Sequence, residues 1–429
     1  MAIVFVLGYT AIALEHPLKV NKAATAILTG VLVWTILVVG RDSILPGAAG
    51  TTEAIDHALL EHLGGIASIL FFLMGAMTVV ELIDAHDGFH IITSRITATK
   101  KTTLLWIVSI TAFFLSAVLD NLTTAIVMCA LLRKLIDDKP TLLIFTGMVV
   151  IAANAGGAWS PIGDVTTIML WIGGRVTTGN IILKLLVPSL VCLLLPLLWI
   201  GRSLKGNVQR PDVAKDLVGP ASRLTAFERN LIFAIGVAAL LFVPVFKTFA
   251  HLPPFMGIML GLGVLWIVTE VVHVRHGDSE RSELMVSAVL RRIDMSTVLF
   301  FFGILVSVAG LEVAGHLTLL AHGLDRMLGD VYLINSAIGL LSSIVDNVPL
   351  VAAAMGMYPM TQFPQDHIFW ELLALCAGTG GSLLIIGSAA GVAAMGIVDI
   401  DFIWYLRKMT FPALLGYLGG IATFWLLWH

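Results

Sequence analysis

Apolar residues gather along this chain in twelve long blocks: 2 to 14, 23 to 40, 63 to 83, 104 to 132, 141 to 174, 181 to 200, 229 to 246, 254 to 272, 296 to 315, 331 to 358, 369 to 398 and 409 to 428. Most reach the roughly 20 residues with which a helix crosses a bilayer, and none alternates polar and apolar positions as a spanning strand does. The pattern predicts an all-α polytopic membrane protein. The first block is short for a crossing, but its counterpart at 229 to 246 is longer, so it is read as a helix of the same kind.

Two blocks are interrupted in their middle by the same polar pair. The fourth carries Leu119-Asp120-Asn121-Leu122-Thr123-Thr124 and the tenth Val345-Asp346-Asn347-Val348-Pro349. A carboxylate at the centre of a membrane helix costs about 2.5 to 3.5 kcal/mol even on the lenient insertion scale, so such residues mark function. The blocks that follow break differently, with paired glycines at Gly156-Gly157 and Gly380-Gly381 and with Pro161. Each Gly weakens a helix by about 1 kcal/mol relative to Ala, which predicts discontinuous helices there. Backbone freed at a break survives in hydrocarbon only if it is buried in protein or lines an aqueous cavity, and unwound carbonyls facing two hairpin tips would offer hard oxygen ligands to a cation.

The same features recur in the same order. Trp34 matches Trp266 at an offset of 232, Gly75 matches Gly303 at 228, Asp120-Asn121 matches Asp346-Asn347 at 226, and Gly-Gly-x5-Gly from Gly156 matches that from Gly380 at 224. Residues 1–200 and 229–429 are therefore expected to be two transmembrane repeats, joined by a polar cytoplasmic linker at 201–228. If both Asp-Asn blocks are re-entrant hairpins, each half has five crossings and the second is inverted, the plan of many secondary transporters. Lys and Arg then fall 20 on one face and 5 on the other. The positive-inside rule makes the richer face cytoplasmic, with both termini outside.

Composition agrees with this reading. Hydrophobic residues make up 58% of the 429 and charged residues 12%, against about 25% charged in soluble domains. The net charge of −3 says nothing about a nucleic-acid partner, but no basic cluster interleaved with aromatics appears, so none is expected. Cys129, Cys192 and Cys376 stand singly in apolar blocks, giving neither a disulfide framework nor a thiolate metal site. The first block has no basic n-region or cleavage site and is expected to be part of the mature protein. No zinc-protease, P-loop or nucleophile-elbow motif is present, so the expectation is no cofactor, no enzyme and no ATP-driven pump, but a transporter driven by a gradient.

The two hairpin motifs, the stretch Asn154-Ala155-Gly156-Gly157-Ala158-Trp159-Ser160-Pro161-Ile162-Gly163-Asp164 and the run from Leu7-Gly8-Tyr9 to Trp34 resemble the NhaD-type sodium/proton antiporters of the ion transporter superfamily. The resemblance implies exchange of Na+, and Li+, for H+ by alternating access, in a homodimer of the bacterial inner (cytoplasmic) membrane. It implies Asp120, Asn121, Asn154, Asp164, Asp346 and Asn347 as the cation and proton site, with Na+ held by Asp120, Asn121, Asp346 and Asn347. Thr123, Thr124, Gly156, Thr379, Gly380 and Ser382 are weaker additions. Dicarboxylate carriers of that superfamily have Ser-Asn-Thr at the tip; Asp in place of Ser adds negative charge where a dianion would sit. A sodium-coupled dicarboxylate carrier is the runner-up and an intramembrane enzyme a distant third.

Each residue also has a structural reading. Asp164 could cap a half-helix, Asn154 could join two helices, and Thr123, Thr124 and Ser382 could simply pack. Glu81 and Glu312 lie near segment ends. Every Lys and Arg lies at or beyond a segment end, so Asp120 and Asp346 are expected to lack basic partners. His57 and His62 are expected in an external loop, and His86 and His90 on a solvated surface.

Overall fold

Burial of apolar blocks in lipid leaves the backbone no partner but itself, and the chain answers with helices throughout. The structure, a computed structural model, describes residues 1–13, 15–45, 51–94, 96–209, 224–274, 283–344 and 346–429. Much of the expected linker, six of the counted basic residues (Arg95, Arg210, Lys215, Arg223, Arg275 and Arg281) and Val345 of the second hairpin motif lie outside these residues.

The first half runs α1 (Ala2–Ala13), α2 (Lys22–Val39), α3 (Thr52–Ala85), the pair α4 (Lys101–Leu119) and α5 (Asn121–Leu135), the pair α6 (Lys139–Ala158) and α7 (Val165–Ile172), and α8 (Thr178–Gly201). The second runs α9 (Ala226–Ala250), α10 (Pro254–Val274), α11 (Met295–Val313), an additional α12 (His316–Met327), the pair α13 (Val331–Leu341) and α14 (Asn347–Met357), the pair α15 (Ile368–Gly380) and α16 (Ala389–Val398), and α17 (Thr410–Trp428). Apart from α12, the order is the same. Both Asp-Asn blocks break at the Asp, and both double-glycine blocks break after the glycines.

Hydrogen bonds at the helix ends decide which pairs turn back. At the base of the first hairpin, Lys101 Nζ donates to Thr141 Oγ1 at 2.7 Å and lies 3.6 Å from Asp138, so α4 and α5 enter and leave on one face although α4 alone is long enough to cross. That face also holds Gly206, whose carbonyl accepts from Lys101 N, and Val398, whose carbonyl accepts from Lys139 Nζ. Asp138, outside the spanning segments, accepts from the Thr141 hydroxyl, which holds its carboxyl below the usual range. The second hairpin is based on the opposite face. Arg175 donates to the Met355 carbonyl at 3.0 Å, Trp428 Nε1 to the Lys184 carbonyl at 3.2 Å, and Asp366 N to the Arg175 carbonyl at 2.9 Å. The arms α13 and α14 have 11 residues each, about 16 Å, half a bilayer.

Packing repeats across the halves. Helices α2 and α11 pack together as α10 and α3 do, and α7 lies on α14 as α16 lies on α5. Glycines permit the close approaches. A Cβ on Gly156 would sit 2.1 Å from the Phe113 carbonyl oxygen and one on Gly380 2.0 Å from that of Gly339; Phe113 and Gly339 are themselves 226 positions apart. Ser116 and Ser342, also 226 apart, bond to the carbonyls of Ala153 and Ala377 at 2.6 and 2.8 Å. The tryptophans diverge: Trp34 donates across the halves to Val306, whereas Trp266 bonds within its own helix to Glu270.

The expectations for three histidines fail on packing. Helix α3 has 34 residues, so His57 and His62 lie on its first turns and not in a loop; those turns are polar enough to stand in water, which hid them from a hydropathy pattern. His86 is not on a solvated surface. It is fully buried, stacked on His273 with ring centroids 5.2 Å apart and Nε2 to Nε2 at 2.9 Å, because the end of α10 covers the end of α3; His90 is exposed as expected. Glu81 meets Arg292 at 4.0 Å, and Asp87, beyond α3, meets Arg229 at 3.5 Å, both structural contacts.

Candidate functional site

A helix start leaves N–H groups unpaired, and four helix starts meet near the middle of the molecule, each supplying a polar cap. Asp120 caps α5 by accepting from Thr123 N at 2.7 Å and from its hydroxyl at 3.1 Å. Asp346 caps α14 through Val348 N at 3.2 Å. Asp164 caps α7, accepting from Thr166 N and Oγ1, both at 2.9 Å, and Ser388 caps α16 through Gly391 N at 3.2 Å. Helices α7 and α16 are held on the opposite hairpins, so the four ends converge.

The residue at the convergence is Asp164, which is 1% exposed. Asn121, first residue of α5, donates to it at 2.6 Å, and Asn347, first residue of α14, donates at 3.3 and 3.4 Å. Asn121 also donates to Asn154 Oδ1 at 3.0 Å, while Asn154 Nδ2 donates to Ser382 and Ser388, each at 2.9 Å. One buried network therefore joins both hairpins and both breaks. No Lys, Arg or His lies within ion-pair distance of Asp164 among the described residues.

The implied residues thus divide. Asn121, Asn154, Asp164 and Asn347 form the network, and Ser382 joins it. Asp120 and Asp346 border it through their neighbours and turn elsewhere. Asp120, at φ 124°, occupies backbone space that costs a non-glycine residue about 1–3 kcal/mol, and it lines a cavity of about 530 Å3 with Lys22, Glu81, Asp84, Thr123 and Arg292. Asp346 does have a basic partner, contrary to expectation: Lys22, at the start of α2, reaches in to 3.7 Å. Thr123 serves Asp120. Thr379 bonds within its own helix to Leu375 and the buried Thr124 hydroxyl has no partner in the described residues, so neither joins the network. Gly156 and Gly380 allow the breaks to lean on the hairpins.

Sequence reasoning missed Thr166 and Ser388. The signal for Ser388 was available: it follows Gly387 as Asp164 follows Gly163, at the offset of 224.

Comparison with known proteins agrees with this geometry. The family described as citrate transporter matches residues 9–378. The Vibrio cholerae protein named Na(+)/H(+) antiporter NhaD is 33% identical, over 100% of this chain and 91% of its own. The chain belongs to the NhaD-type sodium/proton antiporters. Two Arabidopsis thaliana proteins named sodium/proton antiporter 1 and 2 are 50% and 47% identical over 99% of this chain, covering 71% and 98% of their own lengths. Among solved structures, the YdaH transporter of Alcanivorax borkumensis superposes with a TM-score of 0.59 at 11% identity, covering 94% of this chain and 98% of that one. That likeness shows that the NhaD-type chain shares the fold of that structure.

Proposed function

We propose that this protein exchanges Na+, and also Li+, for H+ by alternating access, with Asp164 as the carboxylate that takes either the cation or the proton. The observation that supports this most is the meeting of Asn121 and Asn347, from hairpins based on opposite faces, on one buried carboxylate that has no basic partner. A lone buried carboxylate needs a cation or a proton to neutralise it, and amide and hydroxyl oxygens are the hard ligands that alkali cations prefer. Asp120 and Asp346 stand as accessory carboxylates at the tips. Relatives named as antiporters favour transport and not an enzymatic reaction.

The face rich in Lys and Arg is assigned to the cytoplasm by the positive-inside rule, which opens the Asp120 cavity to the cytoplasm and leaves both termini outside. The remaining expectations are that the host membrane is a bacterial inner membrane and that two copies associate. Residues 1–200 and 229–429 act as the two halves and 201–228 as their cytoplasmic linker.

The citrate transporter description of the matching family favours a second reading, a sodium-coupled di- or tricarboxylate carrier. The cavity weighs against it, since among the described residues its lining holds Glu15, Glu81, Asp84, Asp120 and Asp294 against Lys22 and Arg292. The test is dissipation of a respiration-driven pH gradient in everted vesicles. Addition of Na+ or Li+ is expected to collapse the gradient, with no response to succinate or citrate. Sodium-dependent uptake of a carboxylate without proton movement would establish the second reading.

A further inference from the structure

The two hairpin tips carry the same Asp-Asn pair, but only one of the two tip carboxylates is matched by a positive charge. Lys22 Nζ lies 3.7 Å from Asp346 Oδ2, whereas Asp120 has no basic side chain within ion-pair distance among the described residues. The difference is written into the repeat. Lys22 is the first residue of α2, and the first residue of the equivalent helix α10, at the same offset of 232 that relates Trp34 to Trp266, is Pro254.

Several contacts hold Lys22 in place. Asn21 caps α2 through Ala23 N at 2.8 Å and exchanges hydrogen bonds with Ser296 at 3.0 and 3.1 Å, and Lys22 N donates to Glu15 at 3.2 Å. The ammonium stands 4.6 Å from the centre of the Phe300 ring. Its attachment to Asp346 is looser: 3.7 Å is an ion-pair separation beyond hydrogen-bond length, and both side chains keep some exposure, 23% and 15%. Lys22 also lines the cavity that reaches Asp120. A mobile cation in that cavity thus meets the unpaired Asp120 and the ammonium that is paired with Asp346.

We propose that Lys22 is a built-in competitor for the transported cation at Asp346, a positioning residue that weakens cation binding at the second hairpin tip and so speeds release into the cavity. The inference deepens the sodium-exchange reading and rests on it. It depends on the fixed charge of Lys22 and not on any change in its protonation.

The test compares sodium-dependent exchange of the wild-type chain with K22Q and K22R in everted vesicles, reading KM and maximal rate separately. K22Q removes the competitor, so its sodium KM is expected to fall at least tenfold while the maximal rate also falls, because the ion leaves slowly. K22R keeps the charge and is expected to move KM far less. Should K22Q fail to fold, Lys22→Cys supplies the same comparison, since Cys129, Cys192 and Cys376 are all buried. Attaching an aminoethyl group through a disulfide restores the charge and should raise the KM of the cysteine variant toward the wild-type value, whereas a propyl group should not. Equal KM values in K22Q and wild type, or equal effects of the two attached groups, would overturn the proposal. A wild-type chain without sodium exchange would instead overturn the function reading, so the two failures are distinct.

Discussion

Replacing Asp164 by Asn separates the charge of the central carboxylate from its role as a cap. Asn caps helices as well as Asp does, so the start of α7 keeps its bond to Thr166 N. The new amide group then faces the Asn121 amide that now donates to Asp164 at 2.6 Å. Turning Asn121 over would repair that contact but break its 3.0 Å bond to Asn154, so one interhelical hydrogen bond is lost in either case. Such bonds average about 0.6 kcal/mol in membrane proteins, with a maximum near 1.7, which corresponds to a fall of only a few degrees in Tm. The charge matters far more for the ion. Opposite unit charges about 4 Å apart at an effective dielectric of 20 interact by about 4 kcal/mol, roughly a thousandfold in affinity. D164N should therefore purify and melt close to wild type in detergent while sodium exchange in everted vesicles falls at least a hundredfold, even at high sodium. D164N that exchanges sodium at normal rate and KM would refute the assignment of Asp164 as the ion-binding carboxylate.

Alanine at Gly156 or at Gly380 should destabilise the protein by about 1–3 kcal/mol or more, because backbone carbonyls 2.1 and 2.0 Å from the new Cβ have little room to yield; alanine at Gly64, with open space around it, should leave the Tm near wild type, and equal Tm values for all three would contradict the packing. Burial pushes the His86 imidazole, just beyond the end of α3, down to about 4. The unfolded chain therefore binds a proton between about pH 6.5 and 4 that the folded chain does not, and stability is lost as pH falls through that window by up to about 1.4 kcal/mol per unit. His86→Gln should show a shallower loss by thermal melting over the same range; an identical slope would remove His86 from the account. Single cysteines at Asp137 and Gln365, both exposed, should react with impermeant reagents from the cytoplasmic and the external side respectively, and labelling of both from one side would contradict hairpins based on opposite faces.

The breaks in the membrane helices were legible because they use residues that lipid penalises: Asp120-Asn121, Asp346-Asn347 and the paired glycines stand out against apolar surroundings. The pairing of Asn121 and Asn347 with Asp164 was not legible, since it depends on α7 and α16 each crossing to the other half's hairpin. Lys22 escaped for a related reason. It lies at the edge of its block, as a solvated residue would, and only the fold brings Asp346 within reach of its long stem. His86 and His273 stand 187 positions apart, and no local pattern separates a histidine bound for a buried contact from one left in water. Helix α12, amphipathic and far less apolar than the spanning helices, has no apolar block to announce it and no counterpart of its length in the first half.

The shared plan of the two halves carries a consequence of another kind. Under the proposed alternating access, identical halves would give the conformation open to one side and its two-fold-related counterpart open to the other equal energy, and the unloaded protein would wait equally in both. Among the equivalent pairs described above, two differ in formal charge, Asp164 against Ser388 and Lys22 against Pro254. In the proposed alternating-access cycle, both differences would remove the degeneracy of the two resting conformations. Gradients alone still decide the net direction of flow, since no permanent feature of a passive machine can do so. Under that proposal, what the asymmetry sets is the side on which the empty protein spends its idle time, and hence which ion it meets first.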